Sequence, residues 1–300
     1  SNRIFDSLLF WKYDILFSYF YRYSFFAALL AKCFGKKTYF TGGIDSLDSD
    51  YASAFNYKIQ ALFFKLCYWV ADSCIIVSQS DLKNIFKVSS LKKKLSYSEH
   101  VINTKLFIAD VPKEKIFTSI VWMGDEGNVV RKGVDKALQI FAELKKIPEF
   151  VDYRFVIIGR KGEGEVLVRS IIDKYNLKGS VELKGEVSEE DKINLLKQSK
   201  YYFQLSLYEG FGLAALEALC ANNIIIHSGK GGLANPIYKE QLLFDIDNDF
   251  DSELLKLVNK LACFTPITSY DNLLEYYDIQ RRKDDFEAII VNGKSNYKLK

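Results

Sequence analysis

The sequence is poor in the residues that most often build metal sites and disulfide frameworks. It contains 2 histidines, His100 and His227, which leaves little room for a histidine-rich metal site. The 5 cysteines are odd in number and have no metal-like or disulfide-framework spacing. We therefore expect reduced thiols, as in a cytoplasmic protein, at Cys33, Cys67, Cys74, Cys220 and Cys263.

Long apolar runs are also lacking. The most apolar stretch, residues 59–71, is too short to span a bilayer and contains Lys65. We expect no secretory signal peptide either. These absences favour a cytoplasmic protein, which could still lie at the inner face of a membrane. A net charge of +3, from 41 Lys and Arg against 38 Asp and Glu, disfavours a dedicated nucleic-acid binder.

The rest of the composition is typical of a globular protein, with 49% hydrophobic and 26% charged residues. At 300 residues, two ordinary domains are a better expectation than one very large domain. Apolar runs alternate with amphipathic segments in two series, separated near residues 95–112. Such alternation is typical of parallel sheets with helices on both faces. The fold class we expect is therefore α/β, with two Rossmann-like doubly wound parallel-sheet domains.

The pattern also predicts element positions. Predicted strands cover residues 14–20, 37–41, 73–78, 116–123, 154–158, 181–184, 201–207 and 223–226. Predicted helices cover residues 24–34, 57–71, 80–86, 134–146, 166–175, 189–198, 213–221 and 270–290. Ser80 is expected to cap the short helix that ends at Phe86, and residues 91–95 are expected to form a loop. The apolar face predicted for the helix at 57–71 consists of Ile59, Leu62, Phe63, Leu66 and Val70. The domains we expect are residues 1–110 and 111–268, followed by a C-terminal helix and tail at 269–300 that could cross back to the first domain. Ligands bind such sheets at the carboxyl ends of strands, which here means the cleft between domains.

The most informative segment is EGFGLAALE at residues 209–217. It combines a strand end, a glycine-containing turn and the start of a helix. Gly210 and Gly212 let the backbone approach a ligand closely, and the N–H groups at Leu213 form an anion site suited to phosphate. Glu209 and Glu217 could accept hydrogen bonds from sugar hydroxyls. On spacing alone, a generic helix with an exposed glutamate and a glycine turn is the alternative.

A second element is Arg131-Lys132-Gly133, which precedes a predicted helix. Two cations at a strand-to-helix turn suit a diphosphate leaving group, because they neutralise charge as the sugar–phosphate bond breaks. An isolated Arg-Lys pair is more often a solvated loop. Gly124 ends the predicted strand at 116–123, and Gly185, which follows the strand at 181–184, is by itself only a turn glycine.

From residue 14 to residue 232 the chain resembles the family 4 (group 1) retaining glycosyltransferases, whose two-Rossmann architecture is called GT-B. Glu209 and Glu217, with seven residues between them, match the two glutamates of that family, and the intervening Gly-Phe-Gly-Leu matches too. The resemblance implies that Glu209 contacts the donor sugar and Glu217 the nucleotide ribose. The backbone of residues 210–213, which includes Phe211, would then hold sugar and phosphate.

The resemblance also suggests roles for the other elements. Arg131 and Lys132 would stabilise the departing diphosphate, and the turn at Gly185 would lie against the nucleobase. The family often has Arg directly after its strand-end glycine, whereas here Asp125 follows Gly124, so Arg131 is expected to substitute for it. Gly229-Lys-Gly-Gly resembles a further glycine pair of the family, but Ala234-Asn235-Pro236 replaces its usual nearby glutamate.

The first half departs further from the family. Gly42 stands where many relatives have the histidine of a His-Gly pair, and Asp45 is retained. The first N-terminal βα units of the relatives, with their Gly-rich acceptor loop, are expected to be absent from this chain. The acceptor site would then be incomplete, and the activity of the chain on its own is left open.

Several other sequence patterns are weaker evidence of function. Asp48-Ser-Asp50 and Asp245-Ile-Asp247 match the Asp-x-Asp pattern of metal-dependent glycosyltransferases. The pattern is so short that chance matches are expected, and we predict no metal. The glycines of residues 159–164 lack dinucleotide spacing. His227 is expected to end a strand rather than act as a base. Lys92–Lys94 and the aromatic-rich face at residues 10–26 could touch anionic lipid headgroups, although a solvated surface is the interpretation we favour.

The sequence therefore predicts a retaining, metal-independent glycosyltransferase. It would need a nucleotide diphosphate sugar as donor substrate and no cofactor, and its acceptor would be a saccharide or lipid-linked sugar in surface polysaccharide or glycoconjugate synthesis. Retention in the family is usually assigned to front-face attack without a protein nucleophile. Two alternatives stay open: a sugar-nucleotide epimerase of the same fold, which turns over without acceptor, and a non-catalytic nucleotide-sugar-binding partner subunit.

Overall fold

The computed structural model describes residues 12–19, 21–42, 47, 52–88, 92–108, 111–264 and 271–293. Asp45, Asp48 and Asp50 lie outside these residues. The chain divides into two compact units. The first comprises Ser1–His100 together with Gln280–Lys300, and the second is Val101–Ile279. Both units are parallel α/β structures, as the alternation in the sequence predicts.

The first unit contains four parallel strands in the described part of the chain, in the spatial order β1-β2-β3-β4. Its elements are β1 (Ile15–Ser18), α1 (Tyr21–Cys33), β2 (Lys37–Thr41), α2 (Ala54–Val70), β3 (Ser73–Ile76), α3 (Gln79–Val88) and β4 (Leu95–Tyr97). The C-terminal helix α11 (Ile279–Asn292) enters this unit from residue 280 onward.

Helices cover both faces of the first sheet, because alternate residues of a strand point to opposite sides. Phe40 and Cys74 pack with the buried sides of α1 and α2. Their strand neighbours Tyr39 and Ile75 pack on the other face against Ile289 of α11. The last helix of the chain therefore covers a sheet face that α1 and α2 leave open.

The second unit holds a six-stranded parallel sheet in the described residues, in the order β10-β9-β8-β5-β6-β7. Its strands are β5 (Glu114–Ile120), β6 (Arg154–Ile158), β7 (Val181–Gly185), β8 (Ser199–Gln204), β9 (Ile224–His227) and β10 (Leu242–Leu243). Its helices are α4 (Glu126–Arg131), α5 (Val134–Leu144), α6 (Glu165–Lys174), α7 (Glu189–Gln198), α8 (Leu213–Cys220), α9 (Phe250–Cys263) and α10 (Asp271–Tyr276). The order reverses between β5 and β8, which defines a topological switch point.

Aromatic rings fill one face of this second sheet. The fully buried Phe117 of β5 stacks on Tyr201 and Phe203 of β8, with ring centroids 4.6 and 5.0 Å apart. Phe141 of α5 meets Phe117 edge-on at 5.5 Å. On the opposite face, α8 buries Ala215, Leu216 and Leu219. Large side chains from adjacent central strands thus hold β5 and β8 in the pairing that creates the switch point.

Several sequence predictions need correction. The predicted loop around residue 95 begins strand β4, and the single helix predicted at 270–290 is two helices separated at Tyr277 and Asp278. Helix α3 begins one residue earlier than predicted and is capped by Ser78, whose Oγ accepts from Asp81 N at 3.1 Å, rather than by Ser80. Leu62, expected on the inner face of α2, is exposed. That helix is apolar on nearly every side, so periodicity alone could not select its buried face.

One half-buried cation connects two helix ends of the second unit. Lys113 Nζ donates to the carbonyls of Lys197 at 2.8 Å and Ala221 at 2.6 Å, and also to Leu196 O at 3.3 Å. These carbonyls belong to the ends of α7 and α8, where backbone acceptors lack helical partners. Burial lowers the pKa of Lys113 to about 8.

We predict that Lys113→Met lowers the free energy of unfolding by about 2 kcal/mol, because it leaves the carbonyls at the two helix ends without their charged donor. Lys115→Met is the matched control, since Lys115 forms an exposed ion pair with Asp152. Exposed pairs contribute little, so the control should stay close to wild type in urea denaturation. Equal losses in the two variants would contradict this role of Lys113.

Candidate donor-binding site

The predicted site residues lie at the carboxyl edge of the second sheet. Glu209 to Leu213 follow β8, Gly124 follows β5, and Gly185 ends β7. Arg131 and Lys132 lie at the end of α4, in the connection from β5 to α5. The loops after β5 and β8 flank the switch point, where parallel sheets leave a crevice for ligands.

A hydrogen-bond network fixes the carboxylate of Glu209. Its Oε2 accepts from Lys132 Nζ at 2.7 Å, Gln204 Nε2 at 3.2 Å and Ser206 Oγ at 3.3 Å. The side chains of Lys132 and Glu209 are only 20% and 16% exposed. All three donors that the described residues provide converge on one oxygen, so Oε1 is left to accept from a ligand.

The network continues inward through polar groups of β8. Gln204 Oε1 accepts from the hydroxyl of Tyr202 at 3.1 Å, and that hydroxyl accepts from Ile120 N at 3.3 Å. Burial raises the pKa of Tyr202, and the charges of Glu217 and Glu209 raise it further. The charges of both carboxylates therefore act on one buried phenol.

Two glycines allow neighbouring loops to interlock with the Glu209 loop. Gly133 has a φ of +68°, and a Cβ there would lie 2.0 Å from Leu205 O. Gly231 has a φ of +57°, and a Cβ there would lie 2.2 Å from Glu209 O. Only glycine fits such close approaches in a left-handed conformation. The loop after β9 is thus bound to the Glu209 loop, and Gly232 N donates to Glu209 O at 2.5 Å.

Helix α8 begins without a cap. Its N-cap residue is Gly212, with a φ of +87°, which has no side chain to bond the first-turn N–H groups, and the first turn contains no acidic residue. Leu213 is exposed, whereas Phe211 is buried against Tyr277 with ring centroids 6.2 Å apart. Phe211 can therefore contribute its backbone to a ligand while its ring anchors the turn. First-turn N–H groups of this kind attract phosphate.

Glu217 lies one turn inside α8 and forms an ion pair with Lys192 of α7. The Lys192 Nζ is 2.9 Å from Glu217 Oε1 and 2.8 Å from Glu189 Oε1. Burial raises the pKa of Glu217, and the bond from Lys192 offsets only part of that effect. Burial also opposes the charge of Lys192, but its bonds to Glu189 and Glu217 outweigh burial and raise its pKa. Lys192 therefore stays charged, whereas partial burial makes the charged form of Glu217 less favourable.

Gly124 and Gly185 belong to a second group of loops on the other side of β5. Glu163 N donates to Gly124 O at 3.2 Å, and Gly159 N donates to Gly185 O at 2.8 Å. The glycine-rich turn at residues 159–164 is thus packed between the ends of β5 and β7. Helix α4, which lies between Gly124 and Lys132, connects this group of loops to the Glu209 network along the chain.

Arg131 has a partner close to it in sequence. Its guanidinium bonds Asn128 Oδ1 at 2.6 and 3.2 Å within its own helix, whereas Lys132 reaches Glu209. The sequence pattern missed the short helix α4, which makes Asp125 its N-cap, with Oδ1 accepting from Asn128 N at 2.7 Å. Asp125 therefore has a structural role after Gly124, and Lys132 is the cation that faces the carboxylate.

The residues of the weaker sequence patterns, His227, Asp245 and Asp247, have partners close to them in sequence or space. Burial lowers the pKa of His227 to about 4, its Nδ1 accepts from Gly229 N at 3.2 Å, and its ring lies 5.5 Å from that of Tyr238. Asp247 is ion-paired with Lys230, and Asp245 Oδ1 accepts from Asp247 N at 3.1 Å. Among the residues that the structure describes, no group of His, Cys, Asp and Glu is arranged to hold a metal.

Sequence reasoning missed three side chains that support the glutamates: Gln204, Ser206 and Lys192. Gln204 and Ser206 alternate with apolar residues at the end of β8, a signal that two polar groups face the same side. Lys192 had no such signal, because its pairing with Glu217 depends on how α7 packs beside α8.

Solved structures show which fold this is. Sucrose-phosphate synthase from Thermosynechococcus elongatus superimposes with a TM-score of 0.76 at 20% identity, covering 94% of this chain and 74% of that one. Anabaena HepE, solved in complex with UDP-glucose, also gives 0.76 at 12% identity, covering 95% and 80%. Together with the two parallel sheets and the switch-point loops, these similarities define a protein of the GT-B class.

The sequence of the second unit carries a family likeness. Residues 127–262 match the family model described as Glycosyl transferases group 1. The resemblance to group 1 glycosyltransferases is confirmed over these residues. A GDP-mannose:cellobiosyl-diphosphopolyprenol alpha-mannosyltransferase of Xanthomonas oryzae is 32% identical over 163 residues, 47% of this chain and 40% of the relative. A human subunit of phosphatidylinositol N-acetylglucosaminyltransferase is 30% identical over 105 residues, 35% and 21% of the two chains. The matched part of this chain thus spans less than half the length of either relative.

We predict that Lys192→Met destabilises the second unit more than Glu217→Gln does. Loss of Lys192 leaves a half-buried carboxylate without a cation, at a cost of about 2 kcal/mol at neutral pH. Glu217→Gln removes the charge that burial disfavours, while Lys192 keeps Glu189 as a partner.

The sign of the pH dependence follows from the raised pKa of Glu217. A carboxyl whose folded pKa lies above the unfolded value of 4.5 stabilises the fold below that value, and the contribution is lost as pH rises through the folded pKa. The deficit of Lys192→Met should therefore shrink as the pH falls towards 4.5 in urea denaturation. A stability deficit of Lys192→Met that grows in acid would contradict this role of Glu217.

Proposed function

We propose that this chain belongs to a retaining, metal-independent glycosyltransferase that moves a sugar from a nucleoside diphosphate sugar to a lipid-linked or saccharide acceptor. The uncapped N-terminus of α8, next to the Lys132–Glu209 ion pair at the switch point, is the observation that carries this proposal. It combines a fixed anion site with a cation and an immobilised carboxylate. A diphosphate sugar offers complementary phosphate oxygens and hydroxyls.

Each group has a role in that proposal. The first-turn N–H groups of α8 bind the diphosphate, and Lys132 stabilises charge as the diphosphate departs. Glu209, held through Oε2, presents Oε1 to the sugar hydroxyls. Glu217, oriented by Lys192, accepts from the ribose hydroxyls. Arg131 is a weaker candidate than Lys132, because Asn128 occupies its guanidinium.

Retention is proposed to follow front-face attack. The acceptor oxygen bonds the anomeric carbon on the face from which the diphosphate leaves, and the acceptor proton passes to a departing phosphate oxygen. Such a reaction needs no protein nucleophile and no metal. Its demand on the protein is stabilisation of the leaving group, which a helix N-terminus and Lys132 can supply.

The relatives suggest the class of acceptor. The name of the Xanthomonas enzyme specifies a cellobiosyl-diphosphopolyprenol acceptor, and that of the human relative specifies phosphatidylinositol. Both acceptors are lipid-linked. We therefore favour a lipid-linked acceptor in surface polysaccharide or glycoconjugate synthesis. The donor stays open between guanosine and uridine nucleotides, because the Xanthomonas relative is named for GDP-mannose and HepE was solved with UDP-glucose.

Calorimetric titration tests the donor site. The ligands are UDP, GDP, UDP-glucose, UDP-N-acetylglucosamine and GDP-mannose. We expect one base to bind with micromolar affinity and Glu217→Ala to weaken it by about tenfold or more, which corresponds to about 1.4 kcal/mol. Glu189→Ala is the matched control, because Glu189 pairs with the same lysine but is largely exposed and lies on α7.

The outcomes separate the alternatives. If the folded protein binds none of the five ligands, the donor site is wrong and the family likeness describes a fold alone. Equal weakening by Glu189→Ala would assign the effect to Lys192 rather than to Glu217. Binding without any turnover would favour the partner subunit, and conversion of the donor sugar without acceptor would favour the epimerase.

The stereochemistry can be followed with water as the acceptor. We expect proton NMR of the donor that binds to show the α-anomer of the free sugar first, before mutarotation, at a rate that EDTA leaves unchanged. Early appearance of the β-anomer would contradict retention. A rate lost in EDTA and restored by Mg²⁺ would contradict metal independence.

A further inference from the structure

Helix α1 of the first unit carries an exposed apolar stripe. Tyr23 is 81% exposed and Phe26 72% exposed, Leu30 follows them on the solvent side, and the exposed Phe34 comes directly after the helix. The spacing of three and four residues puts Tyr23, Phe26 and Leu30 on one face of the helix. The opposite face of the same helix is buried against the sheet. Apolar side chains therefore occupy both the inner and the outer face of α1.

Helix α2 has a second stripe, in which apolar residues alternate with lysines. Phe55 is 73% exposed, Leu62 55% and Trp69 72%, and Lys58 and Lys65 are exposed between them. The five residues repeat at intervals of three and four, so they form one line along the helix. An exposed helix face normally carries charged residues of both signs, whereas this face carries aromatic or aliphatic groups and cations.

The two stripes belong to one surface. Helices α1 and α2 cover the same face of the first sheet and contact each other through their inner sides. Phe25 meets Phe63 edge-on at 6.0 Å, and Tyr21 lies 5.4 Å from Phe64. Because the inner sides meet in this way, the outer stripes both face away from the sheet. We call the residues of the two stripes the aromatic–lysine surface.

The charge of the helices that carry this surface has one sign. Helices α1 and α2 contain lysine and arginine residues and no acidic residue. Lys32, at the end of α1, is paired with Asp72, which follows α2. The one carboxylate of α3, Asp81, is fully buried. Acidic side chains of these three helices therefore do not balance the exposed Lys58 and Lys65.

The basic loop at Lys92–Lys94 extends the same surface. Lys94 Nζ donates to Trp69 O at 2.9 Å, at the end of the α2 stripe. Lys92 lies over the ring of Phe86 at 4.7 Å from its centroid. Lys94 thus connects this basic loop to the end of the α2 stripe at Trp69.

Aromatic side chains interspersed with lysines match the boundary between headgroups and acyl chains of an anionic bilayer. A protein partner fits less well, because lysine is depleted in the cores of protein interfaces. In the part of the chain that the structure describes, no helix is long and apolar enough to cross a membrane. We propose that the aromatic–lysine surface docks the protein peripherally on a membrane rich in anionic lipid.

Vesicle co-sedimentation of the full chain tests this proposal. We expect binding to vesicles of phosphatidylcholine and phosphatidylglycerol in equal amounts, and much weaker binding to phosphatidylcholine alone. Lys58→Gln and Lys65→Gln should each weaken binding to the anionic vesicles about fivefold at low salt. Raising the salt concentration should reduce the effect of both changes, because it screens exposed charge.

An apolar triple variant tests the other half of the surface. We expect it to weaken binding to the same vesicles at least about tenfold, because the bound state then buries less apolar area. The variant is Phe55→Ser, Leu62→Ser and Trp69→Ser. The matched control replaces exposed apolar residues of the second unit, Val151→Ser, Val166→Ser and Leu255→Ser. Circular dichroism and urea denaturation establish that both triple variants are folded.

Insertion can be read from Trp69 itself. Tryptophan emission should shift to the blue when wild type meets anionic vesicles, and bromine-labelled acyl chains should quench it. Both responses should be largely lost in Trp69→Phe, which keeps an aromatic ring and still sediments with the vesicles.

Three results would overturn the proposal: no binding to the anionic vesicles, equal losses in the two triple variants, or quenching that Trp69→Phe leaves intact. A wild-type dimer that the apolar triple variant dissociates, without vesicle binding, would make this surface a contact between copies. The test is independent of the donor site, because Glu217→Ala should bind vesicles as wild type does. Vesicle binding can therefore stand where nucleotide binding fails, and the reverse also holds.

Discussion

The convergence of three donors on one oxygen of Glu209 is the constraint on which the candidate site depends. Lys132 comes from the connection after β5, whereas Gln204 and Ser206 come from the end of β8. The backbone of Glu209 also accepts from Gly232, which follows β9. Three loops that are distant in sequence are thus held around one carboxylate. Fixing them in advance lowers the entropy that a ligand would lose on binding.

The two glutamates of the site are held differently, which suits different demands. Glu209 has a lysine and two neutral donors on one oxygen, so its charge is well supported. Glu217 has one lysine that it shares with Glu189, and burial raises its pKa. A partly buried carboxylate with few hydrogen-bond donors is stabilised most when new donors approach it, as the hydroxyls of a ribose would. Stability and ligand binding therefore compete at Glu217.

The sequence predicted most of the fold and only part of the site. Strands at residues 37–41 and 154–158 were predicted with the bounds that the structure gives them, because both are rich in β-branched and aromatic residues. Helix α4 was missed because six residues are too few for a periodic pattern. The hydrogen bond between Arg131 and Asn128 inside that helix was therefore not predicted. The outward position of Leu62 could not be read from an almost wholly apolar helix.

By itself, the sequence determined the α/β class, the glycine turn at residues 209–213 and the order of the elements. These are local properties, since backbone freedom, apolar spacing and turn chemistry act over a few neighbouring residues. Only the tertiary structure decided that Lys132 rather than Arg131 faces Glu209, that Lys192 pairs with Glu217, and that Trp69 lies in solvent. Each depends on which face of a helix the sheet buries, and that choice is made by packing between segments far apart in sequence.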